Sequence, residues 1–367
     1  MQQKKYVTTI LARQVKASKV IILTDNRDNL SNNFSLKLKS VCATVINCIR
    51  FMVRLSPSLP FLKSAYRHRE HDGTNMSDEQ SKKAIALIES YFQVSSEKSA
   101  SIHSKLLTMY QLYSFLIDEN ISFNGKGKVL VIIFPNIFGL SSWHTGIAKL
   151  FSALGADVLM VNYFDKSQQP NPFSLLLGND SRFQLLNTIK TVDESTIITE
   201  IFDLLKILGD ENNTRVYILG SSYGATLAMK LASAGDPRFR FLCLFYPSLF
   251  YRDGFTLIGG VEDILTQFRN IFAEIRIFIG EKDNVLHPLN SNAFKHVSNR
   301  VTNISSFILH DVDHAYVEPY VTRVLPSFLY KPLLSWLTII YFIIFVYDDL
   351  NHQPYSLSAQ SERIALP

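Results

Sequence analysis

From residue 128 onward, short apolar runs alternate with stretches of helical periodicity. The runs are rich in Val and Ile and do not alternate apolar with polar positions, which is typical of parallel strands covered on both faces. They are KVLVIIF (128–134), ADVLMVNY (156–163), RVYILG (215–220), FLCLFY (241–246), EIRIFIG (274–280) and ISSFIL (304–309). Helices are predicted between them at 143–154, 196–208, 224–235, 262–273 and 289–298. The pattern predicts an α/β fold with a mostly parallel, doubly wound sheet and helices on both faces.

The segment that precedes this pattern is basic and weakly patterned. Residues 1–75 hold 13 Lys and Arg against 4 Asp and Glu, whereas the whole chain carries a net charge of +5. We interpret 1–75 as an extension that is disordered or used for targeting, and 76–120 as a helical lead-in. A segment with few acidic residues and many Lys, Arg and Ser residues, such as 1–75, resembles a mitochondrial transit peptide. Met76, which stands before a Ser-Asp-Glu helix start, also fits an alternative translation start.

The last apolar stretch, 332–347, contains no charge over its 16 residues. It is slightly short for a membrane-spanning helix, which needs about 17 to 25 residues. We favour membrane association through 332–347, with the basic residues before it placing the preceding α/β unit on the cytoplasmic side. The alternatives are a helix docked on the sheet and an error in the gene prediction. The whole of 321–367 is interpreted as an apolar helix followed by a polar tail.

Composition excludes several classes of function. The chain is 47% hydrophobic and 12% aromatic, which fills a large core and excludes global disorder. Its basic extension carries no nucleic-acid-reading motif, so we expect no nucleic-acid partner. Cys42, Cys48 and Cys243 form no CxxC pair and no metal-ligand spacing, so neither a disulfide framework nor a metal site is predicted. The cytoplasm is the expected compartment.

The motif GSSYG (220–224) directly follows the run RVYIL and opens an Ala-rich stretch. In a strand-turn-helix elbow the central serine takes a strained backbone conformation, and Gly220 and Gly224 avoid collisions there. The turn raises the hydroxyl of Ser222 to the carboxyl edge of the sheet, beside a helix N-terminus. Ser222 is therefore the predicted nucleophile.

A serine nucleophile needs a base, and the base needs an orienting acid, which such elbows receive in the chain order Ser, acid, His. Asp283 follows the run EIRIFIG, and His314 follows the run ISSFIL. Both belong at the same sheet edge as Ser222, so Asp283 is the predicted acid and His314 the predicted base. The alternatives are Glu281 for the acid and His310 or His287 for the base.

Four stretches together resemble the dienelactone hydrolases, a branch of the α/β-hydrolases. They are PNIFGLSSWHTGIAKLFSALGADVLMVNYFD (135–165), GSSYGAT (220–226), GEKDNV (280–285) and DHAY (313–316). The resemblance spans 128–317 and implies an α/β-hydrolase domain over 121–320.

The resemblance also implies roles for the site residues. Ser222 would be the nucleophile, Asp283 the acid and His314 the base, with the backbone N–H groups of Ile137 and Tyr223 as the oxyanion hole. Physical chemistry points to the same two donors, because a tetrahedral oxyanion needs one from the residue after the nucleophile and one from the loop after an earlier strand. No metal or organic cofactor is expected.

Three positions depart from the family pattern. Ser222 stands where the family nucleophile is typically Cys, and Asn136 stands where the family has a Glu that interacts with the resting nucleophile. Glu318 stands in the stretch where the family has an Arg that binds a substrate carboxylate. The hydrolytic machinery is kept, but anionic lactones are not the expected substrates.

We therefore expect a serine hydrolase that cleaves a carboxylester or thioester with an apolar acyl group. The connections 164–195 and 247–262 are expected to form the cap and the pocket walls, because they contain PFSLLLG and PSLFYRDGF. The alternative is a catalytically silent binding or scaffold protein of the same fold, tethered to a membrane.

Overall fold

The computed structural model describes residues 20–23, 86, 123, 128–163, 187–208, 214–249, 268, 270–283, 285–286, 288–310, 312–314, 316–317 and 331–351. The strands within them are β1 (Val20–Leu23), β2 (Lys128–Phe134), β3 (Asp157–Val161), β4 (Thr214–Ser221), β5 (Phe239–Phe245), β6 (Glu274–Gly280) and β7 (Ile304–Leu309). The helices are α1 (Ser142–Ala153), α2 (Glu194–Leu208), α3 (Tyr223–Ala232), α4 (Leu289–Ser298) and α5 (Lys331–Asn351).

The strands form one sheet in the order β1-β3-β2-β4-β5-β6-β7. All neighbouring pairs from β3 to β7 are parallel, and only β1 pairs antiparallel. The chain turns from one side of β2 to the other between β3 and β4. Polar groups after β4 therefore lie at the switch point where open α/β sheets bind ligands.

Helices cover both faces of this sheet. Along β2, Leu130, Ile132 and Phe134 face the layer that contains α2, α3 and α4. The intervening Val131 and Ile133 face the layer that contains α1 and α5. A strand buried on both faces needs apolar residues at every position, which explains the unbroken run. The predicted mostly parallel, doubly wound fold is confirmed.

The basic extension 1–75 was interpreted as disordered or used for targeting, and the structure corrects the disordered interpretation for residues 20–23, which form a strand of the sheet. Val20 pairs with Val161 and Leu23 with Val158, so β1 runs antiparallel along the outer edge of β3. A strand edge offers unpaired backbone groups, and a short β-branched run satisfies them. Four apolar residues in a polar context gave too weak a periodic signal to predict this strand.

The preferred interpretation of 332–347 as a membrane association segment is also corrected. The segment forms most of α5, which packs against the sheet as the docked-helix alternative required. Leu337 and Phe342 are fully buried there. None of the helices in the described parts of the chain combines the length and the apolar character needed to cross a bilayer.

Aromatic packing explains why α5 carries so few polar positions. The ring of Phe345 stacks on that of Phe241 in β5 with centroids 3.8 Å apart. Phe342 meets Phe151 of α1 edge to face at 5.1 Å. A helix that packs between a sheet and a neighbouring helix is buried on more than one side. Its sequence is therefore apolar on nearly all sides.

Asp349 connects the carboxyl-terminal end of α5 to the amino-terminal parts of β4 and β5. Its carboxylate accepts hydrogen bonds from the hydroxyl of Tyr217 at 2.8 Å and from Arg240 at 3.0 Å. Arg215 lies 3.4 Å from the same carboxylate and also donates to the Asp349 carbonyl. The acids that follow the apolar run therefore include a partly buried anchor for the helix.

Two predicted segments lie largely outside the described residues. Of the helical lead-in at 76–120 only Ala86 is described, and of the helix at 262–273 only Phe268 and 270–273. The predicted domain boundaries stay predictions.

Candidate active site

Three polar side chains meet at the carboxyl ends of β4, β6 and β7. The Oγ atom of Ser222 lies 3.1 Å from Nε2 of His314. The Nδ1 atom of His314 lies 2.7 Å from Oδ2 of Asp283. The structure thus brings Ser222, His314 and Asp283 into one hydrogen-bonded chain, although 92 residues separate Ser222 from His314.

The turn at Ser222 has the geometry of a nucleophile elbow. Ser222 has φ 52° and ψ −120°, a conformation that costs a non-glycine residue on the order of 1 to 3 kcal/mol. Its N–H donates to the carbonyl of Phe245 in β5 at 2.9 Å, which helps to hold the strained residue in place.

Both glycines of the motif are required by close backbone contacts. A Cβ on Gly224 would lie 2.1 Å from the carbonyl oxygen of Pro135 and 2.6 Å from that of Phe134. A Cβ on Gly220 would lie 2.8 Å from Cα of Ala225. The elbow therefore packs directly against the chain that leaves β2.

The acid is held in its ionised form. Burial by itself would raise the pKa of Asp283, but the charge of His314 and the hydrogen bonds outweigh it and leave the pKa below the ordinary 3.8. Those bonds come from His314 and from the N–H groups of Val285 and Leu286, which both donate to Oδ1 at 3.0 Å. An ionised carboxylate only accepts hydrogen bonds, so Asp283 fixes Nδ1 of a neutral His314 as the protonated nitrogen.

The alternative acid and base form a separate pair. Nδ1 of His310 lies in direct contact with Oε2 of Glu281. Their side chains are 23% and 49% exposed, against 12% and 6% for His314 and Asp283. The buried pair is the one that contacts Ser222. His287, the remaining alternative, lies outside the described residues.

The loop after β2 lies beside the elbow. Asn136 accepts a hydrogen bond from the N–H of Phe138 at 2.8 Å, which shapes the turn that contains Ile137. Tyr163 donates to the carbonyl of Pro135 at 2.8 Å and fixes the start of the same loop. The predicted oxyanion donor Ile137 is buried on this loop. Its role as an oxyanion donor stays a prediction.

The second predicted donor, Tyr223, begins α3 directly after the elbow. Its ring is fully buried, and its hydroxyl donates to Glu194 of α2 at 2.9 Å. Lys230 forms an ion pair with the same Glu194. The side chain of Tyr223 therefore ties the start of α3 to α2, while its backbone N–H stands next to Ser222 in the chain.

Sequence reasoning missed two side chains beside the predicted base and nucleophile. The ring of Tyr246 packs against that of His314, with the ring centroids 4.6 Å apart. Ser248 places its Oγ 2.9 Å from Oγ of Ser222. Both follow β5, the strand next to β4, so their place at the same sheet edge was the signal that could have identified them.

No metal centre is indicated in the part of the chain that the structure describes. No group of three or more His, Cys, Asp or Glu there could hold a metal ion. Cys243 is a buried free thiol within β5, and burial raises its pKa well above the ordinary value.

The sequence model of the dienelactone hydrolase family matches residues 121–331. The chain belongs to the dienelactone hydrolase family. It is accordingly an α/β-hydrolase, as the resemblance implied. Asn136, one of the three departures noted in the sequence, uses its side chain to shape its own loop. Glu318 lies outside the described residues.

Several solved structures are similar to this chain. A dienelactone hydrolase-like promiscuous phosphotriesterase from metagenomic libraries is 16% identical, with 59% of this chain and 86% of that chain covered and a TM-score of 0.42. An α/β-hydrolase enzyme from a Medee basin deep-sea metagenome library is 16% identical, with 60% and 87% covered and a TM-score of 0.36. A carboxylesterase of the thaumarchaeon Nitrososphaera gargenis is 13% identical, with 58% and 91% covered and a TM-score of 0.37. No curated protein matches the sequence.

Proposed function

We propose that this dienelactone hydrolase family member cleaves a carboxylester or thioester by a serine acyl-enzyme mechanism. The observation that carries the proposal is the unbroken hydrogen-bonded chain from Oγ of Ser222 through His314 to Asp283. A strained elbow, a buried ionised acid and a histidine between them are what nucleophilic catalysis by serine requires.

In the first step, Oγ of Ser222 attacks the carbonyl carbon while its proton passes to Nε2 of His314. The bond from the acyl carbon to the leaving oxygen or sulfur then breaks, that atom takes the proton from Nε2 and departs as an alcohol or thiol, and the acyl-enzyme remains on Ser222. A water molecule deprotonated by His314 attacks the acyl carbon, the bond from that carbon to Oγ breaks, and Oγ recovers a proton from Nε2. Asp283 stabilises the imidazolium in both steps and keeps its own charge.

The oxyanion of each tetrahedral intermediate would be held by the backbone N–H groups of Ile137 and Tyr223. The close contact between Gly224 and the carbonyl of Pro135 supports this assignment, because it brings the elbow and the loop after β2 together. The loss of one such donor in comparable sites costs about 3 kcal/mol of transition-state stabilisation.

The proposed substrate has an apolar acyl group. The support is the sequence of the predicted pocket walls, PFSLLLG and PSLFYRDGF. Within the described residues, the second wall includes Ser248 and the fully buried Leu249, close to the sheet edge. Apolar walls with a few polar groups are typical of small-molecule pockets. The cytoplasmic location predicted above, with the mitochondrion as its alternative, stays a prediction.

Fluorophosphonate labelling tests the mechanism. We expect the wild-type chain to be labelled, Ser222→Ala to lose labelling completely, and His314→Ala to be labelled at least 1,000-fold more slowly, since a triad acts as a unit. His310→Ala is the matched control, because it removes the other histidine near the end of β7 and should be labelled normally. Labelling that persists in Ser222→Ala would refute the nucleophile.

The same experiment addresses the catalytically silent alternative. A binding or scaffold protein would be folded but would neither react with the fluorophosphonate nor hydrolyse p-nitrophenyl esters. That result in the wild-type chain would replace the proposed hydrolase with a binding role for the same fold.

A further inference from the structure

The hydroxyl of Ser222 has a second partner besides the predicted base. The Oγ atoms of Ser222 and Ser248 are 2.9 Å apart, closer than the 3.1 Å between Oγ of Ser222 and Nε2 of His314. A hydroxyl has a single proton to donate and two lone pairs that accept. The directions of these two hydrogen bonds are therefore linked.

The acid determines those directions. Because Asp283 is ionised and only accepts, Nδ1 carries the single ring proton when His314 acts as the base, and it donates to Oδ2 at 2.7 Å. The Nε2 atom of His314 then carries no proton. It accepts a hydrogen bond from the hydroxyl of Ser222, which has only one proton to donate. In this state the bond between the two serines runs from the hydroxyl of Ser248 to Oγ of Ser222.

The backbone of Ser248 is fixed against the elbow. Its N–H donates to the carbonyl of Ser222 at 3.3 Å. Its carbonyl accepts from the hydroxyl of Thr226 in α3 at 2.8 Å. Ser248 is also fully buried, so water does not compete for its hydroxyl.

A buried amide in α4 holds the residues on either side. Asn290 donates through Nδ2 to the carbonyl of Pro247 at 2.6 Å and accepts at Oδ1 from the N–H of Leu249 at 3.2 Å. Asn290 is only 1% exposed. Two elements, α3 and α4, thus position one serine whose hydroxyl meets the reacting oxygen.

We propose that Ser248 is a catalytic hydrogen-bond donor to Oγ of Ser222, an inference that rests on the serine mechanism proposed above. During acylation the O–H bond of Ser222 breaks, negative charge develops on Oγ as its proton moves to Nε2 of His314, and that charge passes to the carbonyl oxygen as the new C–O bond forms. During deacylation the same charge returns to Oγ as that bond breaks and Nε2 gives back the proton. The donated hydrogen bond from Ser248 stabilises both transition states, and its own proton does not transfer.

The test compares Ser248→Ala with Ser248→Thr in the full chain. The rate constant for fluorophosphonate reaction reports acylation, and the burst and steady-state phases with p-nitrophenyl butyrate report both steps. Hydrogen bonds to charged groups are worth enough that Ser248→Ala should slow both steps by about 10- to 100-fold, with KM within about twofold of wild type. Ser248→Thr keeps the hydroxyl and should recover to within about threefold.

Ser335→Ala is the matched control. Ser335 is a buried serine of α5 that donates to the carbonyl of Val317 at 2.8 Å, and it lies in the other helical layer. Its loss should change thermal stability without changing either rate constant. Unchanged rate constants in Ser248→Ala would overturn the inference, as would a slow Ser248→Thr whose thermal stability equals that of wild type.

A rise in KM or a smaller burst amplitude in Ser248→Ala, with both rate constants kept, would also overturn the inference, since these indicate a displaced site. If Ser248→Thr does not fold, the rate constants of Ser248→Ala decide the question alone. A failure of the serine mechanism itself is seen separately, in the absence of labelling of the wild-type chain.

Discussion

The rings of Tyr246 and His314 have their centroids 4.6 Å apart, and their planes meet at an angle of 56°. Tyr246 occupies this place with φ 38°, in the left-handed region that bulky residues rarely adopt. Its N–H donates to the carbonyl of Phe278 in β6 at 2.7 Å, which helps to hold the strained backbone. The imidazole is thus supported by Asp283 on one nitrogen and by a strained aromatic residue on its ring.

We expect Tyr246→Ala to lower both stability and turnover. Removal of a fully buried aromatic ring costs about 3 to 5 kcal/mol and leaves His314 free to leave its position beside Ser222. Tyr246→Phe keeps the ring and should retain most of the turnover. Urea denaturation and p-nitrophenyl ester kinetics measure the two effects, and equal turnover in wild type and Tyr246→Ala would contradict the support assigned to the ring.

The pKa of Asp283 predicts a pH-dependent stability. Because its folded pKa lies below 3.8, the ionised acid stabilises the fold above pH 3.8, and this contribution disappears as the pH falls through the folded value. Asp283→Asn should therefore be about 2 kcal/mol less stable than wild type at pH 7, with a gap that closes in strong acid. Urea denaturation at several pH values measures the gap.

Asp236→Asn is the control for that experiment. Burial alone would raise the pKa of Asp236, but hydrogen bonds and the charge of Arg238 leave it below 3.8 as well. The Asp236→Asn variant should, like Asp283→Asn, be less stable than wild type at pH 7, with a difference that closes in strong acid. Its fluorophosphonate labelling should stay normal. Asp283→Asn should instead lose about 10,000-fold in turnover, as expected when the histidine loses its orienting carboxylate.

Gly224→Ala should prevent formation of the elbow. The added Cβ would lie 2.1 Å from a backbone carbonyl oxygen, that of Pro135, so the backbone itself must shift. We expect loss of labelling and a large loss of stability. Gly146→Ala in α1 is the matched control, because a Cβ there meets nothing within 4 Å. It should stabilise the protein by up to about 1 kcal/mol, and a thermal shift assay distinguishes the two outcomes.

Asp349→Ala should weaken the docking of α5. The substitution leaves Arg215, Arg240 and the hydroxyl of Tyr217 without their shared carboxylate, and breaking such a partly buried cluster costs about 3 kcal/mol. Asp203→Ala, which removes a pair with Lys206 that is 58% and 74% exposed, should change stability by less than about 0.5 kcal/mol. Equal stability of the two variants in urea would contradict the anchoring role of Asp349.

Most strand positions could be predicted because each buried strand had to be apolar on both faces. The predicted runs at 128–134, 274–280 and 304–309 match β2, β6 and β7 residue for residue. The predicted helix at 289–298 also matches α4, and most ends of the other predicted strands and helices differ from the structure by one to three residues, since capping and neighbouring loops set them. The elbow could be predicted from the sequence because the positions where a Cβ would collide with backbone atoms must be glycine.

The sequence by itself determined the α/β pattern, the order of Ser222, Asp283 and His314, and their places after three strands. Only the tertiary structure decided that Val20–Leu23 joins the sheet and that 332–347 packs in the core. An apolar run looks the same whether lipid or protein covers it, and an edge strand is specified by the partner it meets. The contact between Ser222 and Ser248 likewise depends on β4 and β5 lying side by side, because residues 26 positions apart meet only through the sheet.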